Sequence, residues 1–167
     1  MLIIGASGSV GSYAVQLAAQ FGAEVTGVCS GRNTELVSSL GAHHVIDYTA
    51  TDFTASGETY DVVFDTVGRS TFARAKGSLT RRGCYLATTG LDNALLAVWT
   101  SITGGRQVRG GLSVDKRAAL AYLRERVEAG ALRVVIDRTY PLDRIAEARR
   151  HVDTGHKRGN VVITVHE

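Results

Sequence analysis

Short runs of apolar and β-branched residues alternate along this chain with longer stretches in which apolar positions recur three and four apart. Runs at 2–4, 25–29, 44–46, 61–65 and 85–87 read as strands. After the first of them Val10, Ala14, Leu17, Ala18 and Phe21 recur at helical spacing, and Gly22 stands where a helix C-cap is expected. Further helices are predicted over 34–40, stopped by Gly41, in short pieces after Gly68 and near 93–100, and over 115–129. The last of these carries Ala119, Leu120, Leu123 and Val127 on one face and ends at Gly130. Such alternation predicts an α/β fold, a doubly wound parallel sheet with helices on both faces. From Leu132 the pattern changes to a strand at 134–140, the single proline Pro141, a helix at 142–152 and a strand at 161–165. That tail is untypical of a doubly wound sheet, so the expected division is a sheet domain over 1–131 and a C-terminal segment over 132–167.

Composition narrows the class without redirecting it. With 44% hydrophobic and 21% charged residues in 167, the chain matches ordinary globular usage and is long enough for one core. The net charge is +3, and the basic residues are scattered apart from Arg81-Arg82, Arg149-Arg150 and Lys157-Arg158, so nucleic-acid binding is not indicated, although an anionic ligand is accommodated. Cys29 and Cys84 are too few for a four-ligand structural zinc site or a disulfide framework, and no metal site is expected. Both lie in apolar strand-like runs, which suits buried thiols in a cytoplasmic protein. No apolar stretch is long enough to span a membrane.

The candidate chemistry lies at the start. Residues 2–11 read Leu-Ile-Ile-Gly-Ala-Ser-Gly-Ser-Val-Gly: an apolar strand, a turn of small residues and a helix N-terminus in immediate succession. Free N–H groups and the positive end of the helix dipole face such a turn, and small residues let a pyrophosphate approach the main chain. Ala6, Ser7, Gly8, Ser9, Val10 and Gly11 are therefore candidate nucleotide-binding residues, with Gly8 permitting close approach and Gly11 allowing the helix to pack on the strand. Ala6 stands where the dinucleotide fingerprint usually has its first glycine, and a less permissive turn is expected there. No Gly-Lys-Ser/Thr follows, so this is not a P-loop.

In such folds an acidic residue at the end of the second strand hydrogen-bonds the adenosine ribose and repels a 2′-phosphate. Here that strand runs into Cys29-Ser30-Gly31-Arg32-Asn33, with no carboxylate between Glu24 and Glu35. Ser30 and Arg32 offer a hydroxyl and a guanidinium fork suited to phosphate, so NADP (NADPH) is expected in preference to NAD. His43 and His44 follow Gly41 at a strand start and are read as structural; Asp61 and Asp65 bracket a strand and are assigned capping and loop roles.

With these residues in place, the chain resembles the C-terminal half of the medium-chain dehydrogenases/reductases, in particular their zinc-independent, quinone oxidoreductase-like branch. The resemblance rests on Gly-Ala-Ser-Gly-Ser-Val-Gly at 5–11, Gly-Ala-Glu-Val-Thr-Gly-Val at 22–28, Leu-Gly-Ala-His-His-Val-Ile-Asp-Tyr at 40–48 and Tyr-Asp-Val-Val-Phe-Asp-Thr-Val-Gly at 60–68. It implies a Rossmann-type sheet, with Tyr48 beside the 2′-phosphate and Val67, Gly68, Thr88, Thr89 and Gly90 lining the cofactor towards the nicotinamide. It implies hydride transfer between NADP(H) and a small quinone, enone or carbonyl substrate, with no catalytic residue assigned. It also implies a GroES-like catalytic domain ahead of the first strand, to which 132–167 belongs, and an edge strand within 102–112 that makes a homodimer. Without the catalytic domain the chain is expected to bind NADP(H) but to turn over substrate poorly. Two other readings stay open: a non-catalytic NADPH-binding or redox-sensing module, and a relative of the NmrA-like or atypical short-chain reductases. A catalytic short-chain reductase is disfavoured, because no tyrosine has a lysine four residues later.

Overall fold

A computed structural model describes residues 1–88, 97, 100, 105–110 and 116–165. Among them the order is β1 (Leu2–Ile4), α1 (Ser9–Gln20), β2 (Thr26–Cys29), α2 (Thr34–Ser39), β3 (His44–Asp47), β4 (Tyr60–Asp65), α3 (Phe72–Ala75), β5 (Leu79–Ala87), β6 (Gln107–Arg109), α4 (Lys116–Glu128), β7 (Ile136–Pro141), α5 (Ile145–Asp153) and β8 (Asn160–Thr164). The predicted helix over 93–100 lies largely outside the described residues, as do Thr89 and Gly90.

Six strands form one parallel sheet in the order β3-β2-β1-β4-β5-β6. All three residues of β1 are buried, as the two-residue period of a strand covered on both faces requires. Leu2 and Ile4 join Val28, Phe53, Val63, Leu79 and Tyr85 on one side, and Ile3 joins Ala6, Val15, Val25, Val37 and Leu40 on the other. The order reverses between β1 and β4, whose carboxyl ends diverge into a crevice, the place where such sheets bind ligands.

Four expectations are corrected. In α1 the buried face is Gly11, Ser12, Val15, Gln16 and Ala18, while Val10 and Phe21 are exposed. The small residues face the sheet because the helix lies close on the turn; a Cβ on Gly11 would overlap Gly5 O and stand 2.8 Å from Ala6 Cα. The apolar face read into α4 is not covered, since the helix has no buried residue and Leu120 is 66% exposed. Cys84 is only half-buried, whereas Cys29 is buried and its thiol is pushed up to about 11, first by that burial and then by the Asp47 carboxylate. Strand β5 begins six residues before the predicted run, because Leu79 already pairs with Tyr60 and a register shift carries the strand past Arg81-Arg82 to the pairing of Cys84 with Val62.

The tail forms a separate two-stranded parallel sheet, β7 with β8. It is tied to α1 through Gln16, whose Nε2 donates to Arg133 O (3.0 Å) and whose Oε1 accepts from Arg133 N (2.7 Å). It also reaches the glycine turn, where Gly159 N donates to Ser7 O (2.8 Å).

Candidate functional site

Between the carboxyl ends of β1, β2 and β4 lies a cleft of about 500 Å³. Its floor is the turn after β1. Gly5 takes φ +81°, a left-handed conformation that L side chains rarely adopt, and a Cβ there would stand 2.6 Å from Val67 Cγ1. The chain reversal thus falls on Gly5, and Ala6, buried and without positive φ, makes the turn no less permissive than a glycine would. Gly5 N and Ala6 N both donate to Val28 O at 3.0 Å, and Gly8 N donates to Gly5 O at 2.9 Å. The first bond of α1 is Ser12 N to Gly8 O, so the N–H groups of Ser9, Val10 and Gly11 precede the intrahelical ladder. Gly8 caps the helix without a side chain, and the first turn holds no acid. The positive end of a 12-residue helix is left open to an anion.

The walls are cationic. Arg32 and Tyr48 come from the ends of β2 and β3, Arg69 from the loop after β4, Arg74 from α3 and Lys157 from the loop before β8; among the described residues no carboxylate lines the cleft. Arg74 is engaged by Asp52 at 2.7 Å, whereas Arg32, Arg69 and Lys157 have no ion-pair partner among the described residues. Lys157 Nζ donates to Ser9 Oγ and to Gly159 O, at the positive end of α1. Burial holds its pKa below the ordinary 10.5. Asp47, the last residue of β3, lies beside Gly31. Its carboxylate accepts from Thr49 Oγ1 (2.7 Å) and Thr49 N (2.9 Å), which lowers its pKa.

Beneath the loop after β4, Asp65 is 1% exposed and accepts from Val67 N (3.0 Å), Gly68 N (2.9 Å) and Ser70 N (2.8 Å). Tyr85 donates to the same carboxylate at 3.3 Å; its hydroxyl is pushed up to about 12, by burial first and by Asp65 second. The loop role read for Asp65 is thus seen, while Asp61 accepts from Thr80 Oγ1 at 3.0 Å. His43 Nδ1 accepts from Val25 N, and His44 faces Glu24, both at the start of β3.

Of the candidate residues Ser7, Gly8, Ser30, Arg32, Tyr48 and Val67 line the cleft. Ala6 is buried in the turn and Gly11 at the start of α1, Ser9 bonds Gly159 O (2.8 Å), Val10 is half exposed, and Gly68 is held by Asp65. Thr88 stands at the end of β5, its Oγ1 donating to Asp65 O (3.2 Å). Asn33, Phe53, Arg69, Arg74 and Lys157 were not singled out from sequence, although the two glycines around His156-Lys157-Arg158, both with positive φ, marked a constrained loop. Among the described residues no three His, Cys, Asp or Glu side chains converge, so they do not fit a zinc centre. No described helix is long and apolar enough to cross a membrane.

A six-stranded parallel sheet reversing at a glycine turn, with an anion-seeking cleft at that point, defines the dinucleotide-binding class of α/β proteins. A model of the family described as zinc-binding dehydrogenase matches residues 40–163, and the chain belongs to that family, within the medium-chain dehydrogenases/reductases. It is 34% identical over 187 residues to the mitochondrial NAD(P)H oxidoreductase RTN4IP1 of Mus musculus, covering 98% of this chain and 47% of that protein. It is 36% identical over 169 residues to the chloroplastic quinone-oxidoreductase QR1 of Triphysaria versicolor, covering 98% of this chain and 51% of that protein. The quinone oxidoreductase of Coxiella burnetii superposes with a TM-score of 0.88 at 31% identity, over 99% of this chain and 52% of that one. The chain therefore spans about half the length of the curated relatives it matches, and it corresponds to their C-terminal half.

Proposed function

We propose that this chain is the cofactor-binding half of an NADPH-dependent oxidoreductase that reduces a small quinone, enone or carbonyl compound. The observation that carries the reading is the cleft itself: the open N-terminus of α1 and, among the described residues, three arginines, a lysine and no carboxylate around one crevice. On this reading the turn after β1 and Lys157 hold the pyrophosphate, and Ser30, Arg32 and Tyr48 receive the 2′-phosphate. The loop after β4, set by Asp65, directs Val67 and Gly68 towards the nicotinamide. The bound dihydronicotinamide supplies the hydride. A guanidinium and a phosphate at contact attract by about 4 kcal/mol per unit charge pair at an effective dielectric of 20, before solvation costs; exposure of Arg32 reduces this to a fraction.

Titration of the chain with NADPH and NADH tests the reading. NADPH is expected to bind more tightly, and Arg32→Ala to weaken NADPH about tenfold while leaving NADH unchanged. Equal affinities that Arg32→Ala does not move would remove the NADP assignment; no binding of either would remove the function. We also propose that two copies pair along the free edge of β6, whose only partner among the described residues is β5.

A further inference from the structure

Asn33 closes the short 3-10 turn Gly31–Asn33 after β2, its N–H donating to Ser30 O at 2.8 Å. The residue is 4% exposed and contributes to the cleft floor. Its Nδ2 donates to Ser7 Oγ and to Ser30 Oγ, both at 3.1 Å. An amide nitrogen has two hydrogens, so both are used, and Oδ1 has no partner. One buried side chain thereby links the turn after β1 to the end of β2.

The consequence lies in the hydroxyl protons. Each serine oxygen already accepts from Asn33, and no described protein group accepts from either hydroxyl, so both protons are free for the cleft. The opposite amide orientation would accept from both hydroxyls, withdraw their protons and present lone pairs to a ligand. Phosphate oxygens are acceptors only, so an anion favours the observed arrangement. The unpartnered Oδ1 then has a reason, which a buried polar atom requires.

We infer that Asn33 is a positioning residue for phosphate recognition: it holds the Ser7 hydroxyl as a donor to the pyrophosphate and the Ser30 hydroxyl as a donor to the 2′-phosphate. The inference rests on the NADP reading of the cleft and adds to it a coupling between the two phosphate subsites.

The test is a double-mutant cycle on NADPH and NADH dissociation constants, with thermal melting of every variant. Asn33→Ala is expected to weaken NADPH about tenfold in the wild-type background and less than twofold when Ser7→Ala and Ser30→Ala are already present. Asn33→Asp, close to isosteric, takes up both hydroxyl protons and adds negative charge. It is expected to weaken NADPH more than Asn33→Ala does, and NADH less than NADPH, since NADH lacks the 2′-phosphate. Should Asn33→Ala fail to fold, the same cycle run with Asn33→Asp decides. A wild-type chain that binds dinucleotide while Asn33 and serine effects simply add would overturn this inference alone; a wild-type chain that binds neither dinucleotide overturns it together with the proposed function.

Discussion

Lys157 shows what a single side chain contributes here. Its ammonium group is partly buried at the positive end of α1, hydrogen-bonded to uncharged oxygens, and its pKa is depressed by burial. A lysine whose folded pKa lies below its unfolded 10.5 opposes folding while both states are protonated. The unfolded chain binds more protons between the two values, so stability rises with pH across that window. A pyrophosphate beside the ammonium reverses the preference and favours the charged form. NADPH binding is therefore expected to take up a proton at alkaline pH and to weaken as pH rises through the folded value. Calorimetry in two buffers of unequal ionisation enthalpy checks this: wild type should show proton uptake, and Lys157→Gln should not. Neither the lysine nor Asn33 could be picked out in the sequence, because what marks them is proximity to Ser9 and Ser7, some 150 and 26 residues away in the chain.

At the scale of elements, the strands and the glycine turn were legible because each is a local pattern: β-branched runs, then small residues, then a helix. The covered face of α1 was not. Val10, Leu17 and Phe21 outweigh Gly11, Val15 and Ala18 in hydrophobicity, yet close approach to the sheet selects the smaller set. The buried Gln16 on that face was equally unreadable, since its partners belong to the segment before β7. Gln16→Ala leaves Arg133 N and O unpaired and is expected to cost about 2 kcal/mol in urea unfolding. An unchanged midpoint would mean that water replaces both bonds.

For the whole molecule, β7 and β8 pair in their own two-stranded sheet, while the loop between α5 and β8 contributes Lys157 to the cleft. Among the described residues α4 has no buried side chain and β6 pairs only with β5. We expect a dimer in light scattering at high concentration; a monomer mass would count against pairing through β6. We expect NADPH oxidation with a panel of quinones to be slow for this chain alone. Turnover near one per second or faster would show that residues 1–167 suffice for the reaction.

Sequence alone determined the class of fold and the place of the glycine turn, because strand period, helix period and a run of small residues are properties of neighbours in the chain. Tertiary structure decided what surrounds that turn: which face of α1 is buried, that the Asp47 carboxylate is taken up by Thr49, and that Asn33, Arg69 and Lys157 meet there. Those outcomes depend on packing and hydrogen bonding between segments far apart in the chain, which local periodicity does not encode.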